Sequence, residues 1–428
     1  MKNLCKVSAI FGSTRRSACI RLGLVLVSLV STACGGGGGA SGSSTGTAMD
    51  YSVSTTAANA LLSTPFMGHN TLMVGYSGTS ASGNAAPFDM QYAYLNSGAF
   101  SGYNHAGCMA GTTSTSACTS WWGAWQEDVT TRGLYATRFI STAKARSWNS
   151  VTRAQIPVFT YYMVLPASGL NEGAATTGET AALNDATFLT TYFNDWRFLL
   201  QKIGTDNAML HIEPDLFGYL KARADTSTGL PSAISAAVAS SNPTDCASGY
   251  TNDAAGYAKC MIHMVRVYAP NAKVGLHFSP WTYTNAGDAT SWANFMTAMG
   301  AGLGDFLVAD VTDRDADWYA LVQGQTGHDW DVTKMTAYLQ WIKAVSTAVG
   351  KPFLLWQLPL GNSYQNDTYQ HYKDQRVELL FSHIADVRDA NVIGLLFGAG
   401  ETAQTNVETD GGLLIGKMKQ HYANRGVD

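Results

Sequence analysis

The feature that most constrains the fold of this chain is the alternation of short apolar runs with longer amphipathic stretches. The short runs have the length of β-strands, and the amphipathic stretches repeat their apolar residues at helical spacing. Because strands that alternate with helices pair in parallel, this order predicts an α/β fold with crossover helices. The predicted strands are residues 71–76, 88–95, 156–163, 209–213, 274–279, 306–311, 353–358 and 392–397, and the predicted helices include residues 129–148, 186–203, 253–268, 332–349 and 368–387.

The number of these units favours a closed parallel (β/α) barrel over an open sheet. Roughly 340 residues accommodate seven or eight strand–helix units, which is the usual make-up of such a barrel. No G-x-G-x-x-G or P-loop motif opens any predicted helix, so the usual sequence signature of a nucleotide-binding open sheet is missing. Only about eleven residues separate the first two strands, too few for a crossover helix. We therefore expect seven strands, or eight with an irregular first unit.

The first fifty residues have the pattern of an export signal followed by a tether. Five basic residues precede an uncharged apolar run at residues 22–30, and the first acidic residue is Asp50. The apolar run is too short to span a bilayer, and small residues follow it up to Cys34. This order resembles a bacterial lipoprotein signal, in which the cysteine at the cleavage point is lipidated. A glycine and serine stretch follows Cys34, as a flexible tether requires.

These observations divide the chain into three parts. They are a lipoprotein signal peptide at residues 1–33, a Gly/Ser-rich tether at residues 34–50 and a single barrel domain at residues 51–428. Plain cleavage after Ala33 without lipidation is the alternative, because Ser31 stands where the lipoprotein pattern prefers leucine. The expected location is the cell envelope, as an outer-membrane lipoprotein that contacts the membrane through its lipid alone.

Four cysteines follow Cys34 in the chain, namely Cys108, Cys118, Cys246 and Cys260. An even number of cysteines in an oxidising compartment predicts disulfides. Of the three possible connectivities we expect the short-range one, in which Cys108 pairs with Cys118 and Cys246 pairs with Cys260. A zinc site is the alternative, but no C-x-x-C spacing or neighbouring histidine pair supports it. We therefore expect neither a metal nor another cofactor.

Polar side chains gather at the predicted carboxyl ends of the strands, where barrel enzymes carry their active sites. In the fourth strand, period-2 alternation points His211 and Glu213 toward the barrel axis, and Asp215 follows just past the strand end. Asp310 ends the sixth strand in the same way. Because burying carboxylates beside an imidazole is costly, a functional role is favoured, although a structural ion pair or a helix cap would use the same residues.

Other strand ends supply side chains that suit substrate binding. A lone histidine at such a place is more often a satisfied core residue, but a ring of polar and aromatic residues from several strands is harder to explain by packing. The predicted binding residues are Tyr161, His211, His277, Trp281, Trp356, Gln357 and Glu401.

This combination of side chains matches what glycoside hydrolysis requires. One carboxylic acid protonates the leaving oxygen while a second carboxylate attacks directly or activates water. Aromatic rings stack on the apolar faces of sugars. We predict Glu213 as the general acid, Asp310 as the second carboxylate and Asp215 as the substitute for either role. Partial desolvation of Glu213 should raise its pKa and keep the carboxyl protonated.

The tetrapeptide I-E-P-D at residues 212–215 resembles a strand end of glycoside hydrolase family 6 cellulases, which fold as a distorted barrel of about seven strands. The resemblance extends over roughly residues 85–425 in the order of its pieces. An aromatic strand ending near Tyr161 comes first, then the tetrapeptide, a cysteine-containing segment and the strand at residues 274–279. The resemblance implies the barrel fold, the reaction class and a role for Asp215.

The chain also departs from known barrel glycosidases in two places. Residues 165–172 lack the Asp-Arg-Asp-Cys loop that carries the catalytic acid of family 6. The large retaining clan of barrel glycosidases has a glutamate at the end of its seventh strand, where this chain has Gln357. The carboxylates of this chain must therefore be assigned from its own residues.

The composition indicates a neutral ligand. Charged residues make up 14% of the chain and aromatic residues 11%, which gives a weakly charged surface rich in Trp and Tyr. The 27 basic residues against 31 acidic ones leave no basic footprint for nucleic acid. The expected partner is a neutral polysaccharide or oligosaccharide, and the chain is expected to act as a monomer.

Two other kinds of function remain open. A non-catalytic polysaccharide-binding lipoprotein would keep the aromatic residues of this barrel, although Glu213, Asp215 and Asp310 weigh against it. A different hydrolase is the second possibility. A serine esterase lacks support, because no G-x-S-x-G motif occurs and Ser279 has no flanking glycines. A metal-dependent deacetylase would need a tight His/Asp cluster.

The predicted lipid anchor can be tested by the substitution Cys34→Ser. We expect this variant to move from membranes to the soluble fraction, because the lipid on Cys34 is the only membrane contact predicted. Cell fractionation followed by immunoblotting measures the change, with Ser43→Ala in the tether as a control that should stay with the membranes. Unchanged membrane association of Cys34→Ser would contradict the anchor.

Overall fold

The computed structural model of the chain describes residues 61–96, 107–108, 110, 118, 122–279, 286–312, 314–364 and 366–425. The predicted signal peptide, the tether with Cys34, and Trp281 lie outside the described residues. Within the described part of the chain, none of the helices combines the length and the apolar character that crossing a membrane requires.

Eight parallel strands close into a barrel. Each strand pairs with the next one along the chain, and the last pairs with the first. The predicted (β/α) barrel is therefore confirmed, with eight strands and a first crossover that contains only a six-residue helix. The strands are β1 (Met73–Tyr76), β2 (Met90–Leu95), β3 (Ile156–Tyr161), β4 (Met209–Ile212), β5 (Lys273–Phe278), β6 (Phe306–Ala309), β7 (Phe353–Leu358) and β8 (Val392–Phe397).

Helices surround the barrel, and the longest three begin at aspartate caps. Asp185, Asp253 and Asp331 each accept a hydrogen bond from a backbone N–H in the first turn of the helix that follows. The helices are α1 (Ser80–Ala85), α2 (Leu134–Lys144), α3 (Val164–Ser168), α4 (Ala186–Ile203), α5 (Leu216–Asp225), α6 (Val238–Ser241), α7 (Ala254–Tyr268), α8 (Ala286–Met299), α9 (Ala316–Val322), α10 (Val332–Val349), α11 (Arg376–Ser382), α12 (Ile384–Asp389) and α13 (Leu413–Asn424).

Two predicted helices are shorter in the structure than the sequence pattern indicates. The stretch at residues 129–148 forms only α2, and Ser147–Trp148 instead pairs with Val151–Thr152 in a two-stranded hairpin. Asn149 and Ser150 both have positive φ, which matches a tight hairpin turn and ends the helical pattern. The stretch at residues 368–387 begins as a loop and becomes helical only at α11 and α12.

Alternate residues of the strands fill the barrel interior with apolar side chains. The lower layers contain Met73, Met90, Val158, Met209, Phe306, Val308, Leu354 and Leu396, all fully buried. Residues before β1 close the bottom, where the ring of Phe66 lies 6.0 Å from that of Phe306. Gly275 has to be glycine here, because a Cβ at this position would lie 2.6 Å from the Phe306 ring. The interior is therefore solid below the carboxyl ends of the strands.

Both predicted disulfides are present in the structure. Cys108 is bonded to Cys118, and Cys246 to Cys260, with sequence separations of 10 and 14 residues. The second disulfide ties the segment after α6 to helix α7, and both of its cysteines are fully buried. Loops of this length are the kind that a disulfide stabilises by restricting the unfolded chain.

A buried ion-pair cluster joins the two ends of the barrel sequence. Asp89, directly before β2, is 1% exposed and accepts a hydrogen bond from the backbone N–H of Val74 in β1. Arg425, just after α13, donates to both oxygens of its carboxylate at 2.8 Å, and Arg153 donates to one of them at 3.0 Å. The cluster therefore holds the last helix against the first two strands.

We expect Asp89→Asn to destabilise the protein by about 3–5 kcal/mol, because it leaves two arginines without their buried counter-ion. Urea denaturation followed by circular dichroism measures the loss. The matched control is Asp206→Asn, which breaks the solvent-exposed pair with Lys144 and should cost less than about 1 kcal/mol. Equal effects of the two substitutions would contradict the role of the Asp89 cluster.

Candidate active site

A chain of polar side chains crosses the upper end of the barrel interior. Thr160 Oγ1 lies 3.2 Å from His211 Nδ1, and His211 Nε2 lies 2.8 Å from His277 Nδ1. His277 Nε2 lies 3.4 Å from a carboxylate oxygen of Asp310. These residues come from β3, β4, β5 and the end of β6, and strand alternation turns all of them inward. Burial and the neighbouring His277 lower the pKa of His211, so this imidazole is neutral.

Asp215 completes a compact cluster with His277 and Asp310. One ligand atom from each residue lies within 4.8 Å of the other two. His277 is fully buried and the Asp310 side chain is 8% exposed, whereas Asp215 keeps part of its surface open. Asp215 has a positive φ of 69° and is the residue directly before α5. The structure thus brings together two of the three predicted catalytic carboxylates.

The charge environment of Asp215 favours its protonated form. Burial raises the pKa of Asp215 well above the usual range, and the negative charges of Asp310 and Glu172 raise it further. The positive charge of Arg314 acts in the opposite direction and is outweighed. Two carboxylates this close share a proton more readily than they carry two charges.

Aromatic rings line one side of the cluster. The Trp356 ring lies 4.8 Å from that of His211 and 5.6 Å from those of His277 and Tyr94. Tyr94 continues this wall to Tyr162 at 6.4 Å and to Trp122 at 6.2 Å. Trp122 is 40% exposed, and so the aromatic wall reaches from the barrel axis to the protein surface.

Gln357 lies beside this wall because its backbone departs from strand geometry. Its φ of 53° turns the side chain inward, next to Trp356, where regular alternation would point it outward. The amide oxygen of Gln357 accepts a hydrogen bond of 2.8 Å from the Tyr94 hydroxyl. The predicted binding residues His211, His277, Trp356 and Gln357 therefore all lie at the mouth of the barrel.

The predicted orientation of Glu213 toward the barrel axis is wrong. Glu213 has a positive φ of 48°, and this breaks the strand alternation directly after β4. The carboxyl group points into the layer between strands and helices, where it accepts hydrogen bonds from the Tyr192 hydroxyl and from the backbone N–H groups of Met163 and Val164. Burial raises the pKa of Glu213 to about 8 despite these donors. The expected pKa shift is present, but the side chain is fully buried away from the mouth.

Tyr161 and Glu401 do not join the cluster either. Tyr161 is fully buried in the helix layer, where its hydroxyl donates to Asp195 at 2.7 Å. Its neighbour Tyr162 faces the mouth instead, because successive strand residues point to opposite sides. Glu401 is exposed on the loop after β8, and its carbonyl accepts a hydrogen bond from the backbone N–H of Gln404.

Two residues near the site, Tyr94 and Glu179, are not among those predicted from the sequence. Tyr94 alternates with Tyr92 in β2 and could have been found by the same period-2 rule that identified His211. Glu179 gave no such signal, since it lies outside the strands, at the start of a short 3₁₀ helix (Glu179–Asn184) between α3 and α4. Burial, with the negative charges of Glu213 and Asp215 adding to it, raises the pKa of Glu179 to about 9. The carboxyl group of Glu179 is therefore protonated at neutral pH and interacts electrostatically with Glu213 and Asp215.

A buried aspartate connects the loops that frame the site. Asp315 accepts hydrogen bonds from the backbone N–H groups of Gly361 and Thr405, which follow β7 and β8. Its own backbone N–H donates to the Gln404 side chain at 2.8 Å. Three loops at the carboxyl ends of neighbouring strands are thereby held together, and Asp310 lies at the start of one of them.

Known proteins resemble this chain only distantly, and only in structure. No protein-family model matches the chain, and no curated protein is similar to it in sequence. The chain is similar in structure to a family 26 endo-β-1,4-mannanase from Cellulomonas fimi, with a TM-score of 0.48, 10% identity, and coverage of 83% of this chain and 71% of that one. A family 26 endo-β-1,4-mannanase catalytic domain from Bacillus sp. JAMB-750 gives a TM-score of 0.46, 11% identity, and coverage of 86% and 90%.

A broad-specificity endoglucanase of family 5 from Clostridium acetobutylicum gives a TM-score of 0.41, 10% identity, and coverage of 80% of this chain and 89% of that one. The resemblance of the I-E-P-D tetrapeptide to family 6 stays a prediction.

The raised pKa of Glu213 predicts a pH-dependent stability. Between about pH 4.5 and 8 the folded state holds a proton that the unfolded state has released, so the free energy of unfolding should fall as pH rises. Glu213→Gln mimics the protonated form and should remove this part of the slope, at most about 1.4 kcal/mol per pH unit.

Urea denaturation of both proteins at pH 5, 6.5 and 8 measures the difference. Glu378→Gln, which changes a half-exposed carboxylate paired with Lys417, should keep the wild-type slope. A slope in Glu213→Gln that equals the wild-type slope would show that Glu213 does not hold the extra proton.

Proposed function

We propose that this protein hydrolyses the O-glycosidic bonds of a neutral polysaccharide or oligosaccharide at the mouth of its barrel. The observation that carries this proposal is the pairing of Asp215 with Asp310, whose nearest carboxylate oxygens lie within 4.8 Å of each other beside a wall of aromatic rings. Two carboxyl groups and a stacking surface are the elements that glycoside hydrolysis needs.

Asp215 is the general acid in this proposal. Its pKa is raised by burial and by the charges of Asp310 and Glu172, so the carboxyl group holds a proton to donate. Its partly exposed position lets a glycosidic oxygen reach it. This role was predicted for Glu213, which faces the helix layer and has no route to a substrate at the mouth. Glu213, which directly follows β4, instead holds the segment after β3, because its carboxyl group accepts hydrogen bonds from the backbone N–H groups of Met163 and Val164.

Asp310 is the second carboxylate. His277 Nε2 lies 3.4 Å from the nearest Asp310 oxygen, and no hydrogen bond joins these two atoms in the described part of the chain. We propose direct attack by Asp310, as in retaining glycosidases, because its nearest oxygen lies within 4.8 Å of Asp215 and leaves little room for the water that inverting enzymes place between their carboxylates.

The proposed reaction has two steps, attack on the sugar and hydrolysis of the intermediate. Asp310 attacks the anomeric carbon while Asp215 gives its proton to the leaving glycosidic oxygen, and the carbon–oxygen bond breaks. Asp215, now ionised, takes a proton from water, whose oxygen displaces Asp310 and releases the sugar. Both residues return to their starting protonation states.

The aromatic wall supplies the binding surface in this proposal. Trp356, Tyr94 and Tyr162 present ring faces and edges to the mouth, and the half-exposed Trp122 extends them to the rim. Sugar rings offer apolar C–H faces to such surfaces. The Gln357 amide and the two histidines lie within the same mouth and are suited to bind hydroxyl groups.

We further propose that the protein works outside the cytoplasm, as an envelope lipoprotein anchored through Cys34. The two disulfides support export, because such bonds form and persist in oxidising compartments. In this arrangement residues 34–50 are the tether and residues 51–428 the catalytic domain.

Substitution of the two carboxylates tests the reaction. Asp215→Asn and Asp310→Asn should each lower kcat by roughly 10²–10⁴ on whichever glycan the wild type cleaves, with little change in binding. Glu213→Gln should keep more than about a tenth of the wild-type kcat. The measurement is initial-rate release of reducing sugar over a panel of β- and α-linked glucans, mannans and xylans.

Asp329→Asn, which changes an exposed aspartate between α9 and α10, is the control and should have wild-type kinetics. Retention of more than a tenth of the wild-type kcat by both Asp215→Asn and Asp310→Asn would remove them from the reaction. Binding without turnover of every glycan on the panel would favour a non-catalytic polysaccharide-binding lipoprotein.

A further inference from the structure

We propose that Asp215, His277 and Asp310 form a binding site for one divalent transition-metal ion, of which Zn²⁺ and Mn²⁺ are the best fits. This inference differs from the sequence-based expectation that the protein binds no metal. It goes beyond the proposed glycosidase and stands on geometry that does not depend on that activity.

The spacing of the ligand atoms suits a single ion. His277 Nε2 and the nearest Asp310 oxygen are 3.4 Å apart. Two ligands of a tetrahedral Zn²⁺ at about 2.1 Å from the ion are themselves about 3.4 Å apart. Asp215 places one oxygen within 4.8 Å of both atoms, and its partly exposed side chain can close the remaining distance by a small rotation.

Two of these ligand atoms are buried and lack hydrogen-bond partners. Neither His277 Nε2 nor one oxygen of Asp310 has a hydrogen-bond partner within the described part of the chain. His277 is fully buried, and the Asp310 residue is 6% exposed. Leaving such buried groups unsatisfied is unfavourable, and a bound cation satisfies both at once.

The hydrogen bonds behind His277 have the form found behind metal-binding histidines. When His277 carries its proton on Nδ1, it donates to His211 Nε2 at 2.8 Å, and His211 Nδ1 donates to Thr160 Oγ1 at 3.2 Å. The Nε2 lone pair of His277 then points toward Asp215 and Asp310. Such outer partners fix the ring orientation and the tautomer of a ligating histidine.

The donor set identifies the class of ion. Mg²⁺ and Ca²⁺ prefer sites made of oxygen atoms alone, whereas one imidazole with two carboxylates suits Zn²⁺ or Mn²⁺. Three protein ligands leave a fourth position on a tetrahedral ion for water or another small ligand. Because the ion would coordinate the same carboxylate oxygens that the proposed hydrolysis uses, bound metal and that reaction exclude each other. Zn²⁺ is therefore expected to inhibit glycan hydrolysis.

Titration calorimetry with chelator-treated, dialysed protein tests the site. We expect one Zn²⁺ or Mn²⁺ to bind per chain. Asp310→Asn and His277→Gln should each weaken binding at least about 100-fold, since each removes one of three ligands, and His211→Gln about 10–100-fold. Asp329→Asn should bind as the wild type does. Because His277 is buried, Asp215→Asn provides a second ligand variant at a partly exposed position, and thermal unfolding checks that each variant is folded.

The absence of saturable binding, or unchanged affinity in both Asp215→Asn and Asp310→Asn, would overturn the metal site. Glycan turnover is measured separately, with and without EDTA, so that the two proposals can fail independently. Turnover in EDTA that Zn²⁺ abolishes supports both. Stoichiometric Zn²⁺ binding in a protein that cleaves no glycan with or without EDTA would uphold the metal site and overturn the glycosidase.

Discussion

Closure of the barrel is the constraint on which the rest of this structure depends. Eight parallel strands leave no sheet edge, and alternate residues must either fill the interior or pack against the helices. The interior is filled from below by methionine, valine, leucine and phenylalanine side chains, and residues before β1 seal its base. Polar side chains that point inward can therefore be accommodated only at the carboxyl ends of the strands. The histidines, Asp310 and Trp356 all lie there for this reason, and the loops that follow the strands hold Asp215 next to them.

Concentrating acids in this way carries a cost in free energy that the surrounding structure offsets. Burial raises the pKa values of Asp215, Glu213 and Glu179, and neighbouring negative charges raise them further. These carboxyl groups therefore tend to hold protons rather than negative charges. Asp315 keeps the neighbouring loops together through backbone hydrogen bonds, and the Asp89 cluster holds the first strands to the last helix. Either a proton or a divalent cation would relieve the repulsion between Asp215 and Asp310, and the two proposals for this site depend on that same pair of carboxylates.

Much of the architecture could be predicted from local pattern, and the errors have a common cause. The strand–helix alternation located all eight strands, and counting cysteines identified both disulfides. His211, His277, Asp310 and Trp356 follow regular alternation and lie where it predicts. Glu213 and Gln357 do not, because each has a positive φ at the end of its strand. This conformation is rare for residues other than glycine, and nothing in the neighbouring residues of the sequence predicts it. The positive φ turns Glu213 outward and Gln357 inward. Glu213, the predicted general acid, therefore lies away from the mouth, and Gln357 lies within it.

The sequence by itself determined which side chains alternate along each strand, where the chain turns, and that polar residues collect at the strand ends. These properties depend on residues a few positions away in the sequence. The periodicity of the apolar residues and the residue types at turns therefore predict them directly. Only the tertiary structure decided which carboxylates meet. The separation of Asp215 from Asp310, the hydrogen-bond chain from Thr160 to His277 and the proton on Asp215 all depend on distances between strands far apart in sequence. Electrostatic coupling acts through those distances and through burial, and both are set only when the barrel closes.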